Sequence, residues 1–308
     1  MTYWDGYLQP TTVDEALRDL AEAPGESRVI AGGTDLLLDL QQGRQVPVRA
    51  LVDVTGIPEL RDICEADGSV FIGAAATHSR IVEHPLLIRH APCLVEACSL
   101  IGGPQVRNVA TLGGNVAHGL PAADGTIALL ALGAQAVVAE AGGRRTVPLE
   151  SLFLAPGRTT LSGRAAILVG FRFPQREARE GCAFQRTMRP QGIAIAILNM
   201  ALWLRLDATG IVAEARLAVG PGGPTPRRAL MAEARLCGQL SKGVGIERVL
   251  EALADDVQLR TSAHRATAEY RHHMLGVLLR RIVPRALASV GGELPAIDHE
   301  PGESVEAG

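Results

Sequence analysis

Residues 28–43, RVIAGGTDLLLDLQQG, join a short β-branched run to a helix-like stretch through two glycines and a threonine. A run that ends in glycine, followed by a segment opened by Thr34 and closed by Gly43, reads as strand, turn and helix. ALVDVT, residues 50–55, is the next buried strand and completes a β-α-β unit. Core packing does not require so small a turn. Ala31, Gly32, Gly33, Thr34 and Asp35 let the backbone reach positive dihedrals, and they let a phosphate approach N–H groups without meeting a Cβ. The helix N-terminus behind them favours negative charge.

Upstream, Pro10 marks a turn and Thr12 an N-cap, with Val13, Ala16, Leu17 and Leu20 on one helical face. Downstream, GSVFIGAAATHSRIVEHPLL returns to strand and turn, and HAPCLVEACSLIG has the apolar spacing of a helix that ends at Gly102. TLGGN, residues 111–115, then repeats the design of the first turn: a hydroxyl, two glycines and a polar side chain. Two such turns can clasp one pyrophosphate from both sides. Asp124 is either an acceptor for a ribose hydroxyl or the cap of the helix in GTIALLALGA. A hairpin about Gly142 and Gly143 and a strand at 165–174 follow. The charged run at 175–181 is the expected domain boundary. Beyond it come two strands joined by a turn at 208–210, a loop at 221–226, and helical stretches at 229–240, 246–255 and 267–288: a small sheet backed by helices. The acidic, Gly- and Pro-rich residues 291–308 read as a flexible tail.

The chain has 308 residues, 47% hydrophobic and 20% charged, with a formal net charge of −3, which argues against nucleic acid or an anionic membrane as partner. Lys242 is the only lysine, so Schiff-base chemistry has one candidate. No apolar run approaches the roughly 20 residues of a membrane span, and the chain reads as cytoplasmic. The five cysteines, Cys64, Cys93, Cys98, Cys182 and Cys237, are too scattered for a disulfide framework or a cluster, and they read as inert thiols. His78, His84, His118, His272 and His273 read as surface or loop residues, since none has acidic or thiol partners at ligand spacing. Neither G-x-G-x-x-G after a strand nor G-x-x-x-x-G-K-[ST] occurs, so no Rossmann or P-loop signature accounts for the paired turns.

AGGTDLL followed by IGGPQVRNVATLGGNVAHGLPAADGTIALLALGA resembles the FAD-binding medium subunit of molybdenum hydroxylases, the flavoprotein subunits of xanthine dehydrogenase, carbon monoxide dehydrogenase and 4-hydroxybenzoyl-CoA reductase among them. The resemblance runs from YLQPTTVDEAL to SAHRATAEYRHHMLGVLLRR. It implies an α+β protein with a two-subdomain FAD-binding domain of the p-cresol methylhydroxylase (PCMH) type at 1–176, its subdomains at about 1–58 and 59–176. A small C-terminal flavoprotein domain at 177–290, a three-stranded sheet plus helices, would follow. By motif match, Ala31, Gly32, Gly33, Thr34 and Asp35 would line the FAD pyrophosphate with Thr111, Gly113, Gly114 and Asn115. Asp124 would lie near the ribose, and Ile101, Gly102 and Gly103 beside the isoalloxazine.

Arg186 stands where relatives often carry lysine and Gly192 where they often carry an acid, and Arg186 either contacts flavin or phosphate or forms a surface salt bridge. Ala165, Ala166 and His264 are further departures. The implied role is electron relay: FAD in this chain, molybdopterin in a large partner subunit and [2Fe-2S] clusters in a small one, in a heterotrimer. The external acceptor would be NAD, quinone, oxygen or a protein. The alternatives are a stand-alone NAD(P)H-dependent flavin oxidoreductase of the same fold, or a flavin-binding assembly module without turnover.

Overall fold

The computed structural model describes residues 2–22, 25–189, 195–263 and 265–290, arranged around three sheets. The first sheet carries β1 (Trp4–Leu8), α1 (Val13–Glu22), β2 (Ser27–Ile30), α2 (Leu36–Gln41) and β3 (Val48–Asp53), with the parallel strand order β1-β3-β2. α1 starts where Thr12 Oγ1 accepts the Glu15 N–H at 3.2 Å, and it buries Val13, Ala16 and Leu20. The strand β1 is an addition to the β-α-β unit read from the sequence.

The middle unit comprises β4 (Ile63–Ala66), β5 (Ser69–Gly73), α3 (His78–Glu83), α4 (Pro85–His90), α5 (Pro92–Ser99), α6 (Pro104–Arg107), α7 (Leu112–Ala117), α8 (Asp124–Ala131), β6 (Gln135–Glu140), β7 (Gly143–Pro148), the short pair β8 (Phe153–Ala155) and β9 (Arg158–Thr159), and β10 (Ala166–Pro174). Its antiparallel order is β4-β5-β10-β6-β7. AILVGFRF lies at the centre because it is apolar on both faces: Ile167 and Val169 pack toward α1, while Leu168, Phe171 and Phe173 pack toward the helices.

The third sheet, β11 (Glu180–Met188), β12 (Ala196–Leu206), β13 (Val212–Gly220) and the two-residue β14 (Arg227–Arg228), is antiparallel in that order, the short β14 adding a fourth strand to the three expected. One face, with Cys182, Phe184, Ala201, Trp203 and Ala218, joins the core of the middle unit. The other packs on α9 (Leu230–Leu236), α10 (Ile246–Asp256) and α11 (Ala268–Ala288). The seam is therefore a shared core rather than a linker contact. A partly buried ion pair crosses it as well, from Arg285 of α11 to Glu96 of α5, and Glu96 also accepts the Phe184 N–H at 2.8 Å.

Two sequence readings change. Residues 78–90 form two short helices rather than strand and turn, Thr77 capping the first through the Arg80 N–H at 3.3 Å. TLGGN, read as a turn, is the opening of a helix: Gly113, Gly114 and Asn115 all lie in α7 with Thr111 as N-cap. Gly192, His264 and the tail 291–308 lie outside the described residues. No described helix is long and apolar enough to cross a membrane.

Candidate functional site

The first turn leaves β2 at Ile30 and enters α2 at Leu36, with Gly33 at φ +69°. That dihedral lies in the left-handed region that favours glycine. Asp35, not Thr34, is the N-cap, and its side chain makes no capping bond. Among the described residues, the N–H groups of Gly32, Gly33, Thr34 and Asp35 find no acceptor within the protein. The turn thus presents a run of open donors at a positive helix end.

Gly32 serves a different purpose. A Cβ there would sit 2.1 Å from the Val109 carbonyl oxygen and 2.8 Å from the Ala110 Cα. Only a hydrogen fits, so this glycine is where the first turn rests on the backbone leading into the second.

The second turn spends its donors inside the protein. Leu112 N–H donates to the Ala76 carbonyl at 3.0 Å, Gly113 N–H to Ala74 at 2.8 Å, and Gly114 N–H to Thr111 Oγ1 at 3.1 Å. Asn115 N–H closes on the Thr111 carbonyl, while its Oδ1 accepts both the N–H and the hydroxyl of Thr126 at 3.0 and 3.1 Å. What remains available is the exposed face of Gly114 and the Asn115 amide NH2.

Asp124 opens α8, but Ala123 is the N-cap and no side chain caps the helix. The carboxylate instead takes Arg186 at 2.5 Å and the Asn199 Nδ2 at 2.5 Å, in a place where the two ionic side chains are 6% and 3% exposed. Burial pushes the Asp124 carboxyl up from its ordinary range, against the pull of Arg186 and Asn199. Arg186 also donates to the Leu100 carbonyl and to Met188 Sδ, which places its guanidinium next to Ile101. Of the two sequence readings of Arg186, the salt bridge is present, and it is buried rather than on the surface.

Ile101, Gly102 and Gly103 link α5 to α6, with Gly102 at φ +52°. Arg107 holds this bend, its guanidinium donating to the carbonyls of Ile101 at 3.2 Å and Gly102 at 2.9 Å. His78 lies within reach of that charge. Contrary to the sequence reading it is 1% exposed, and burial with help from Arg107 pushes its pKa down to about 4. The backbone N–H of His78 donates to the Ala110 carbonyl, at the entrance of the second turn. Arg107, Asn199 and His78 were missed in the sequence. Asn199 left one signal there, a lone amide in the apolar run AILNMALWL.

The expected residues therefore form a continuous rim, from Gly32 on Val109 and Ala110, through Asn115 on Thr126, to Asp124, Arg186, Leu100 and Ile101. Residues 3–176 match the family described as the FAD binding domain in molybdopterin dehydrogenase, and residues 183–286 match the CO dehydrogenase flavoprotein C-terminal domain. The chain belongs to the FAD-binding subunits of the molybdenum hydroxylase family. It is 35% identical over 290 residues to the xanthine dehydrogenase FAD-binding subunit of Escherichia coli O157:H7, covering 94% of this chain and 98% of that one. It is 31% identical over 288 residues to the carbon monoxide dehydrogenase medium chain of Hydrogenophaga pseudoflava, covering 92% and 96%. Reconstituted CO dehydrogenase from Oligotropha carboxidovorans superposes with a TM-score of 0.86 at 29% identity, covering 93% of this chain and 98% of the other.

FAD is the cofactor of this oxidoreductase subunit. The residues present fit it. Open N–H groups beside a left-handed glycine match the oxyanions of a diphosphate, and the bare face of Gly114 leaves room for the same group from the opposite side.

Proposed function

We propose that this subunit relays electrons from [2Fe-2S] clusters of a small partner subunit to an external acceptor, while a large molybdopterin subunit oxidises the substrate. The redox chemistry belongs to the bound flavin, and the protein supplies position and electrostatics. The observation that carries the reading is the seating of Gly32 on Val109 and Ala110, which brings the two small-residue turns to one place although they are far apart in the chain. In this reading the N–H groups of Gly32, Gly33, Thr34 and Asp35 bind the diphosphate, with Ala31 and the Thr34 hydroxyl beside them. Thr111, Gly113, Gly114 and Asn115 form the facing wall. Ile101, Gly102 and Gly103, braced by Arg107, support the ring system, and Asp124 with Arg186 fixes the charge between ribose and ring. The flavin-binding unit is taken as residues 1–176 and the second unit as 177–290.

The cysteines agree with iron–sulfur chemistry held elsewhere. Burial pushes the Cys93 and Cys98 thiols well up, whereas cluster ligands are thiolates.

The test is spectroscopic. Protein purified with FAD is expected to be yellow, to bleach with dithionite, to recover with an added acceptor, and to co-purify with two partner chains when the three are expressed together. Colourless protein in excess FAD would overturn the reading. Rapid bleaching by NADH without any partner would transfer it to a stand-alone flavin oxidoreductase.

A further inference from the structure

At the N-terminal end of α11, positive charge gathers with no carboxylate paired to it among the described residues. Arg271 lies in the first turns of that 21-residue helix and is 2% exposed. One guanidinium nitrogen donates to the Ile197 carbonyl at 2.6 Å, while its Nε is buried without an acceptor. The charges that bear on Arg271 are those of Arg265 and Arg260, both repulsive, and Arg265 is in turn pressed by Arg260. Arg189, at the end of β11, brings a fourth guanidinium by donating to the Arg265 carbonyl at 3.2 Å. Among the described residues, none of these four arginines is in an ion pair. Glu269, the acid of the same helical turn, is exposed and is not among the charges that reach Arg265 or Arg271.

Such a cluster is built at a cost. Burying a guanidinium without a counter-charge is unfavourable, and placing like charges beside it makes it more so. Apart from the Arg189 bond to the Arg265 carbonyl, the loop is held by its own backbone and hydroxyl groups rather than by the guanidiniums of Arg260 and Arg265. Ser262 N–H donates to the Ala266 carbonyl at 2.9 Å, Ala268 N–H to Thr261 Oγ1 at 3.0 Å, and Tyr270 N–H to Thr267 Oγ1 at 3.1 Å. The side chains are left for something anionic, and the helix end adds to the attraction. Planar guanidinium forks match the tetrahedral oxygens of phosphate, and a recessed Arg271 suits one compact group rather than an extended acidic surface.

We propose that Arg260, Arg265 and Arg271 form a binding site for the phosphate or diphosphate group of a small molecule. Ile197 precedes Asn199 by two residues on β12, and Asn199 pairs with Arg186 across β11. The site therefore shares an end of the third sheet with the rim described above. It involves none of the flavin-binding residues and does not depend on their assignment.

The experiment uses the full chain purified with FAD, titrated with inorganic pyrophosphate at constant ionic strength and followed by calorimetry and thermal denaturation. Flavin absorbance is recorded on the same samples. Pyrophosphate is expected to bind and to raise the melting temperature without displacing flavin. The double variant Arg260→Ala/Arg265→Ala, which spares the buried Arg271, is expected to keep its fold and flavin but to bind about tenfold or more weakly. Arg265→Lys should retain part of the affinity. If the preparation carries no flavin, pyrophosphate bound at the glycine turn will survive in the double variant and be recognised by that. Failure of the native protein to bind pyrophosphate at millimolar concentration, or equal binding by the double variant, would overturn the proposal.

Discussion

The two glycine turns look alike as strings and behave differently as structures. AGGTD precedes a helix, keeps its N–H groups open and holds Gly33 in the left-handed region. TLGGN lies within a helix, and its N–H groups are consumed by Ala74, Ala76 and Thr111. The difference comes from what lies opposite. The end of β5 runs on through Ala74 to Ala76 directly against the second turn, and its carbonyls take the donors; the carbonyl that approaches the first turn, Val109, lies against the Cβ side of Gly32 and accepts none of its N–H groups. A pattern of hydroxyl, glycine, glycine and polar residue therefore specifies a tight backbone, and the neighbouring chain decides whether that backbone binds a ligand or binds the protein.

The contrast can be broken most severely at Asp124, whose helix holds the second turn through Thr126 and Asn115. Asp124→Ala removes the buried carboxylate to which Arg186 and Asn199 donate. Removing one partner of a buried pair costs about 3–5 kcal/mol, so urea denaturation should show a loss of that size. A loss below about 1 kcal/mol would mean that the Asp124 pair does not hold the rim together.

Next comes Gly32→Ala, which places a Cβ 2.1 Å from the Val109 oxygen and forces the two turns apart. Overpacking against backbone should cost up to about 3 kcal/mol, and flavin should be lost on gel filtration together with stability. Retention of stoichiometric flavin by this variant would show that the turns need not touch.

How much of this was legible follows from how local each feature is. α1 could be read because Thr12, Val13, Ala16 and Leu20 fit one cap and one face, and the hairpin at β6 and β7 because Gly142 and Gly143 interrupt two alternating runs. α3 to α5 were harder: Pro85 and Pro92 cut them into pieces too short to show a helical period, and α5 buries residues on nearly every side. The likeness of the two turns was visible, but their unequal use was not, because Ala74 and Ala76 lie more than thirty residues before TLGGN. Asp124 could be singled out, yet its partner Arg186 is 62 positions away, and nothing local joins them.

His78 gives the contrast a pH dependence: its imidazole is buried beside Arg107 where its backbone N–H meets Ala110 at the entrance of the second turn, and no histidine stands at the first. An unfolded histidine takes up its proton near pH 6.5, whereas the folded one resists until about pH 4. The stability that the neutral imidazole contributes is complete above pH 6.5 and is lost as pH falls through that window, by about 2–3 kcal/mol. His78→Leu should therefore flatten the stability profile between pH 6.5 and 4, as followed by thermal or urea unfolding at each pH. An unchanged slope would place the titration elsewhere.

The smallest expected change in stability is also the cleanest separation of fold from ligand. At Gly114 a Cβ would meet only Thr111 Oγ1, at 3.2 Å, and the residue is helical and exposed. Gly114→Ala should shift stability by no more than about 1 kcal/mol, since the gain in helix propensity offsets the small crowding. The flavin-free fold is then intact, so a lower flavin affinity in this variant must come from the new methyl meeting the cofactor. Gly32→Ala cannot make that distinction, because it removes the site and the fold together. Unaltered flavin affinity in Gly114→Ala would leave the second turn as a scaffold for the first, with the open N–H groups after Ile30 carrying the diphosphate alone.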